Sequence, residues 1–127
     1  MAKILVIDDD APNRDILRTR LESAGYEVAE ARDGEEGVTM TESLTPDLII
    51  MDVMMPKVDG RLACRVLKSN VRTKNIPLIM LTAMSQEMEE LRGWESGADE
   101  YLTKPCDHQR LLALISQFLT QAPKERP

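Results

Sequence analysis

The chain alternates five short apolar segments with five segments that have helical periodicity. The apolar segments are KILVI (3–7), VAEA (28–31), DLIIMD (47–52), PLIMLT (77–82) and EYLT (100–103). Near-continuous apolar runs of this length are typical of strands that are covered on both faces. Because strands and helices alternate strictly, we expect an α/β fold with a parallel sheet and helices on both of its faces. The second segment is more polar, so we expect it at an edge of the sheet.

Helical segments lie between these strands. Pro12 suits the first turn of the first helix, where its missing N–H is tolerated. The spacing of the third helix groups Ala63, Val66 and Leu67 on one face, and a fourth helix is predicted from about Ser85. Each helix therefore has an apolar face that can cover the sheet. The last helix carries the broadest stripe, formed by Leu111, Leu112, Ile115, Phe118 and Leu119.

Length, charge and cysteine content narrow the class of protein. The 127 residues suit one domain, placed at 1–121, and the proline-containing tail at 122–127 is expected to be disordered. The formal net charge of −6 argues against direct binding to nucleic acid, which needs a basic surface. No apolar run approaches the roughly 20 residues of a membrane span, and we expect no export signal. Cys64 and Cys106 lack CxxC spacing, so we expect reduced thiols in a cytoplasmic protein.

Polar residues collect where the strands end, which is where ligands bind in parallel α/β sheets. The residues at these ends are Asp8, Asp9 and Asp10 after the first strand, Asp52 after the third, Thr82 after the fourth, and Thr103 and Lys104 after the fifth. If the first and third strands are neighbours, Asp8, Asp9 and Asp52 converge and need a cation. Their hard oxygens, with no His or Cys nearby in sequence, favour Mg²⁺ over zinc or copper. Asp10 is expected to favour the positive end of the following helix instead.

The remaining polar groups at this edge suit a phosphate, with which Mg²⁺ often shares its coordination shell. Lys104 supplies a positive charge, and the Thr82 hydroxyl and the Ala83 amide supply hydrogen-bond donors. Asp52 is the carboxylate best placed to attack phosphorus, which would give an aspartyl-phosphate. The sequence therefore predicts a combined site for a metal ion and a phosphoryl group.

Four motifs together resemble the receiver domain of two-component response regulators. They are VIDDD, MDVMMPKVDG, LTA and GADEYLTKP, in this order between residues 3 and 119. The resemblance implies a CheY-like, flavodoxin-like (βα)5 doubly wound sheet with strand order 2-1-3-4-5. It implies that Asp52 is the phosphoacceptor and that Asp9 binds the metal directly. Asp8 would act mainly through a metal-bound water, and the carbonyl of Met54 would also reach the metal.

The resemblance also implies a phosphate-sensing switch. Thr82, Ala83 and Lys104 would hold the phosphoryl group. When Thr82 is drawn toward that group, the ring of Tyr101 can fill the space that Thr82 leaves, so phosphate biases a pre-existing equilibrium. The peptide bond between Lys104 and Pro105 is expected to be cis, an isomer that costs little before proline.

The resemblance further implies a phosphodonor, either a histidine kinase or a histidine phosphotransfer protein, and a downstream effector. Helical geometry leaves Ile16 exposed near the acidic edge, so we expect Asn13, Ile16 and Pro105 to meet the donor. Trp94 is the candidate anchor for an effector or for a dimer. We expect a monomer or a phosphorylation-dependent dimer, and either a stand-alone regulator or a receiver taken from a longer chain.

Three other functions are considered beside this one. An aspartyl-nucleophile phosphohydrolase commonly has a second acid two residues after the nucleophile, where this chain has Met54. A receiver-like binding module could signal without phosphate, although the acceptor, metal and lysine positions are all filled. A flavodoxin-type carrier would need a phosphate loop rich in Ser and Thr after the first strand, and that strand is followed by Asp8, Asp9 and Asp10 instead.

Overall fold

The computed structural model describes residues 1–53, 59–82, 97–105 and 107–121. A single sheet of five parallel strands forms its centre, in the order β2-β1-β3-β4-β5. The strands are β1 (Lys3–Ile7), β2 (Glu27–Ala31), β3 (Leu48–Asp52), β4 (Leu78–Thr82) and β5 (Glu100–Thr103). The helices among the described residues are α1 (Ala11–Ser23), α2 (Gly34–Leu44), α3 (Gly60–Ser69) and α4 (His108–Gln121). The predicted fold class and strand order are confirmed.

The strands begin and end within one residue of the positions that the apolar pattern predicts. The more polar strand, β2, lies at an edge of the sheet as expected, with half-buried side chains along most of its length. The central strands β3 and β4 are buried at every position. The helix predicted from about Ser85, which would lie between β4 and β5, and the tail at 122–127 lie outside the described residues, so both stay predictions.

Capping side chains fix where two of the helices begin. The Asp10 carboxylate accepts a hydrogen bond from the amide of Asn13 at 3.1 Å, so Asp10 is the N-cap of α1. Pro12 lies in the first turn of this helix, as its lack of an N–H predicts. The Asp33 carboxylate accepts from the amide of Glu36 at 2.8 Å and starts α2 in the same way. Asp10 thus serves the helix, which confirms the interpretation made from sequence.

Each face of the sheet has its own apolar core. Helices α1 and α4 cover one face, where Leu21 and Ile115 are fully buried against the strands. Helices α2 and α3 cover the other, where Leu67 and Cys64 are fully buried. Among the residues that the structure describes, no helix combines the length and the apolar character needed to cross a bilayer.

The predicted inward face of α3 is wrong at one position. Ala63 and Leu67 are buried as expected, but the side chain of Val66 is 47 % exposed. Cys64 takes the inward place, because it lies only about 60° around the helix from Leu67 whereas Val66 lies about 100° away on the other side. A helical pattern shows which residues share a face, but it does not show how far round the helix the neighbouring elements reach.

Candidate functional site

Three carboxylates meet at the carboxyl edge of the sheet. Asp8 and Asp9 follow β1, and Asp52 is the last residue of β3, which lies beside β1 in the sheet. One carboxylate oxygen from each residue lies within 4.8 Å of the other two. Asp8 is 5 % exposed and Asp52 8 % exposed, whereas Asp9 is open to solvent. The convergence predicted from sequence is confirmed, and hard oxygens at this spacing suit a divalent cation such as Mg²⁺.

The ammonium group of Lys104 lies against two of these carboxylates. The Nζ atom of Lys104 is 3.3 Å from Oδ1 of Asp52 and 3.5 Å from Oδ2 of Asp8. Burial lowers the pKa of Lys104, but the charges on Asp52 and Asp8 and the hydrogen bonds to them outweigh burial, so the pKa lies above its ordinary value. Lys104 is therefore held protonated as the counter-ion of the cluster.

The backbone positions Lys104 at the end of β5. Its amide donates a hydrogen bond to the carbonyl of Thr82 at 2.6 Å, which ties the loop after β5 to the end of β4. The peptide bond between Lys104 and Pro105 is cis, as predicted. The ammonium thus reaches the carboxylates from a segment fixed by the sheet.

Thr82 and Tyr101 lie on the same face of the sheet. Thr82 ends β4 and is fully buried, and Tyr101 lies opposite Met80 on the neighbouring strand. Since side chains alternate between faces along a strand, Thr82 shares the face of Met80 and is the diagonal neighbour of Tyr101. The ring of Tyr101 is half-buried and packs against the core under α2 and α3. Their action as a switch stays a prediction.

Three of the predicted site residues cannot be placed. Met54, Ala83 and Trp94 lie outside the described residues. The predicted roles of the Met54 carbonyl, the Ala83 amide and the Trp94 side chain therefore stay predictions.

Gly60 brings the start of α3 directly against the end of β3, a contact that sequence reasoning missed. Its amide donates a hydrogen bond to the carbonyl of Val53 at 2.9 Å. A Cβ atom at position 60 would lie 2.3 Å from the carbonyl oxygen of Asp52 and 2.9 Å from Cα of Val53. Only glycine allows this approach of two backbones. An Asp-Gly pair such as that at 59–60 is typical of a turn, and the sequence pattern alone does not show what the glycine packs against.

Asp59 has a structural role beside the site. Its carboxylate accepts a hydrogen bond from the amide of Arg61 at 2.8 Å, which makes Asp59 the N-cap of α3, and it also pairs with the Arg61 guanidinium at 3.0 Å. Burial raises the pKa of Asp59, but the hydrogen bonds and the charge of Arg61 outweigh burial, so the pKa lies below its ordinary value. The cap therefore fixes the N-terminus of α3, where Gly60 packs against the end of β3.

A second group that sequence reasoning missed holds the backbone of Asp8. Nη1 of Arg14 donates a hydrogen bond to the carbonyl oxygen of Asp8 at 2.6 Å, and Nε of Arg14 binds Oε1 of Glu30 at 3.2 Å. Glu30, on the edge strand β2, also accepts from Nη1 of Arg18 at 2.9 Å. The contacts join α1, β1 and β2, so only the tertiary arrangement shows them.

The residues predicted to meet a donor lie around one groove beside the acidic cluster. The groove has a volume of about 320 Å³, and Ile16 is 52 % exposed at its rim, as expected. Its lining residues are Asp8, Asn13, Ile16, Leu17, Arg20, Leu81, Lys104 and Pro105. Asn13 and Pro105 are exposed. The structure thus brings the predicted contact residues together next to Lys104, while their contact with a donor stays a prediction.

Comparison with known proteins places this chain in a family. Residues 4–116 match the profile of the response regulator receiver domain. The chain belongs to the response regulator receiver family. The receiver is 46 % identical over 119 residues to the DNA-binding dual master transcriptional regulator RpaA of Synechocystis sp.. That alignment covers 94 % of this chain and 49 % of RpaA, so the receiver spans about half the length of the curated relatives that it first matches.

Solved receiver domains have the same fold. The receiver domain of a signal transduction histidine kinase from Syntrophus aciditrophicus matches with a TM-score of 0.91 and 35 % identity, over 99 % of this chain and 96 % of that one. The response regulator TrrA of Thermotoga maritima, solved in complex with Mg²⁺–BeF, matches with a TM-score of 0.84 and 33 % identity, over 94 % of this chain and 100 % of that one. Both likenesses extend across the whole receiver.

Proposed function

We propose that this receiver accepts a phosphoryl group on Asp52 from a histidine kinase or a histidine phosphotransfer protein. One observation carries the proposal: the Asp52 carboxylate lies where two further carboxylates and the Lys104 ammonium meet. The carboxylate is the nucleophile, and the adjacent ammonium can stabilise negative charge on a phosphoryl group that approaches it.

The acidic cluster is the proposed Mg²⁺ site. Asp8, Asp9 and Asp52, with the carbonyl of Met54, would hold the ion. When bound, Mg²⁺ would screen the repulsion between the Asp52 carboxylate and an anionic phosphoryl group. The solved complex of TrrA with Mg²⁺–BeF supports this assignment.

The proposed transfer is a direct displacement at phosphorus. A carboxylate oxygen of Asp52 attacks the phosphorus of a phosphohistidine, so an O–P bond forms as the P–N bond breaks. The imidazole nitrogen leaves with the bonding electron pair and takes up a proton. Lys104 stabilises the charge on the phosphoryl oxygens during transfer, and the Thr82 hydroxyl and the Ala83 amide donate hydrogen bonds to them afterwards.

The groove beside Lys104 is the proposed docking place of the donor. Ile16 offers an exposed apolar contact at its rim, and Asn13 and Pro105 flank it. A helical donor seated on α1 would bring its phosphohistidine to the acidic edge. In this proposal Ile16→Ala slows transfer from a histidine phosphotransfer protein but leaves labelling by acetyl phosphate unchanged, because the small donor does not use the groove.

The output is proposed to be a change of surface around β5. Thr82 moves toward the phosphoryl group, and the Tyr101 ring follows it into the sheet. The output surface is formed by β5, by α4 and by the helix predicted from about Ser85, which includes Trp94. This surface then changes its affinity for an effector. Phosphorylation shifts the equilibrium between the two arrangements of Thr82 and Tyr101. The size of this shift is limited by how much the phosphoryl group's affinities for the two arrangements differ.

The experiment that tests this function is labelling by acetyl phosphate in the presence of Mg²⁺, followed by intact-mass measurement. We expect one phosphoryl group on the wild type, none on Asp52→Asn, and none when EDTA removes the metal. Asp10→Asn is the matched control, because asparagine also caps helices and Asp10 serves α1 rather than the cluster. Labelling of Asp52→Asn at the wild-type level would refute the proposal, and continuous release of phosphate over many turnovers would favour the phosphohydrolase.

A further inference from the structure

Helix α3 exposes apolar side chains that belong to neither core. Leu62 is 50 % exposed and Val66 47 %, and Val71, just after the helix, is 74 % exposed. With Arg65, Ser69 and Asn70, the two helical residues line a shallow groove of about 440 Å³. Exposed apolar residues that cluster on one helix face, unlike scattered ones, are typical of contact surfaces.

The same segment is strongly basic in an acidic protein. Residues 60–82 contain no Asp or Glu, and their cations are Arg61, Arg65, Lys68, Arg72 and Lys74. Because the whole chain has a charge of −6 and this segment has +5, the rest of the chain carries −11. Arg72 and Lys74 are exposed and form no ion pair with any residue in the described ranges. Two positive charges that follow α3 in the chain thus form no ion pair within the described residues.

The neighbouring helix has the opposite charge. Helix α2 contains Glu35, Glu36 and Glu42 and no Lys or Arg. Glu35 and Glu42 are exposed and seven residues apart, so they lie two turns apart on one side of the helix. Neither makes an ion pair within the part of the chain that the structure describes, whereas Glu36 pairs with Arg32 at 3.5 Å. An acidic helix therefore lies beside a basic one.

The exposed apolar side chains of α3 lie on the side of the helix that faces α2. Nζ of Lys68 binds the carboxylate of Asp99, just before β5, at 2.8 Å, so the Lys68 side of the helix looks away from α2. Val66 lies about 160° around the helix from Lys68, and Leu62 lies in the next turn on the same side. Since α2 and α3 pack next to each other on one face of the sheet, the side of α3 that carries Leu62 and Val66 borders the space between the two helices.

We propose that the face formed by α2 and α3 binds a second copy of the chain. A two-fold axis parallel to the helices places α2 of each copy against α3 of the other. The contact between α2 and α3 is then made twice, as a closed symmetric dimer requires. Opposite charges face each other in both contacts. Leu62 and Val66 lie near the axis and the charged residues lie around them, which matches the apolar centre and polar rim of protein interfaces.

The first test is sedimentation velocity of the wild type at up to about 1 mM, the weak end of specific association. We expect a concentration-dependent dimer that dissociates as salt is raised, because exposed charges are screened. The double variant Leu62→Glu, Val66→Glu should be monomeric. The matched control is Ala113→Glu with Gln117→Glu on α4, which adds two charges at the same spacing to exposed positions on the other side of the sheet and should leave the dimer intact.

A mixing experiment tests which helices meet. One variant carries Glu35→Lys and Glu42→Lys, and the other carries Arg65→Glu and Arg72→Glu. Each alone should be monomeric, since like charges then face each other across the axis. The mixture should form a heterodimer, because both of its α2–α3 contacts are attractive again.

Three results would overturn the dimer. They are a wild type that stays monomeric at about 1 mM, charge-reversed variants that associate alone as the wild type does, and a mixture that remains monomeric. All the substituted side chains are exposed, so each variant is expected to fold, and circular dichroism checks this. If the glutamate pair at 62 and 66 unfolds the chain, Leu62→Ser with Val66→Ser replaces it with the same expectation.

Discussion

Lys104 lies 3.3 Å from Asp52 although their strands, β5 and β3, are separated by β4 in the sheet. The long side chain spans the end of β4 and also reaches Asp8 at 3.5 Å. One ammonium therefore balances two carboxylates that are almost fully removed from solvent. The resting site is held together by the cation that is proposed to bind the phosphoryl group later.

Loss of Lys104 should destabilise the metal-free protein. Lys104→Ala leaves Asp8 and Asp52 buried without their cation, which we expect to cost about 1–3 kcal/mol of unfolding free energy, below the cost for a fully buried pair because Lys104 is partly exposed. Mg²⁺ should restore much of the loss, since a cation that binds only the folded state stabilises it. Urea denaturation in EDTA and in Mg²⁺ measures both effects. Equal stability of variant and wild type in EDTA would show that the contact does not balance the cluster.

Arg14 should set the affinity of the acidic cluster for Mg²⁺ by positioning Asp8. Arg14→Ala removes the hydrogen bond to the Asp8 carbonyl, and we expect Mg²⁺ to bind about 10-fold more weakly, as for other groups that orient metal ligands. Isothermal titration with Mg²⁺ measures the change.

Glu30→Gln separates this positioning role from simple stabilisation. It removes the ion pairs that Glu30 makes with Arg14 and Arg18, but it leaves the Arg14 donor for the Asp8 carbonyl. We expect this variant to lose thermal stability and to bind Mg²⁺ like the wild type. Mg²⁺ binding as weak as that of Arg14→Ala would mean that Arg14 only joins the two elements.

Gly60 should be intolerant of any side chain. The Cβ of Gly60→Ala would meet the backbone of Asp52 and Val53, which cannot move without disturbing the site. We expect a loss of about 1–3 kcal/mol, as for other overpacked positions, together with weaker Mg²⁺ binding.

Gly37→Ala is the comparison for this prediction. The atoms nearest to its Cβ would belong to the side chain of Ile7 rather than to the backbone, a side chain can shift more readily than two packed backbones, and alanine favours the helix. The cost should therefore be smaller and Mg²⁺ binding unchanged. Chemical denaturation and titration of both variants check the difference, and a Gly60→Ala protein that binds Mg²⁺ like the wild type contradicts it.

Asp59 should contribute stability that depends on pH. Its pKa is lower in the folded state, so the contribution is fully present above the pKa of the unfolded chain, about 4, and is lost as the pH falls through the folded pKa. Asp59→Ala should cost about 1 kcal/mol at pH 7 through loss of the cap. Asp59→Asn should keep most of the cap and lose the pH dependence. Denaturation between pH 3 and 7 tests this, and a difference between wild type and Asp59→Ala that does not narrow at low pH would count against it.

The sequence predicts the strands and the polar residues at their ends because both depend on simple rules, and the resemblance to receiver domains implies the strand order. Apolar runs mark the strands, and the carboxyl ends of neighbouring parallel strands meet at one edge, which brings Asp8 and Asp52 together. The support around the cluster depends on contacts between distant elements. The bond from Arg14 to the Asp8 carbonyl and the packing of Gly60 against β3 follow from the tertiary fold and leave no local pattern. Val66 shows the same limit, because periodicity does not tell how much of a helix its neighbours cover.

Chemical identification of the phosphorylated residue tests Asp52 as the phosphoacceptor most directly. Borohydride reduces an aspartyl-phosphate to homoserine, which peptide mass spectrometry locates in the chain. After incubation with acetyl phosphate and Mg²⁺, we predict homoserine at position 52 and only aspartate there when EDTA is present. Homoserine at another aspartate, or a phosphoryl group that survives reduction on a hydroxyl residue, would contradict the assignment.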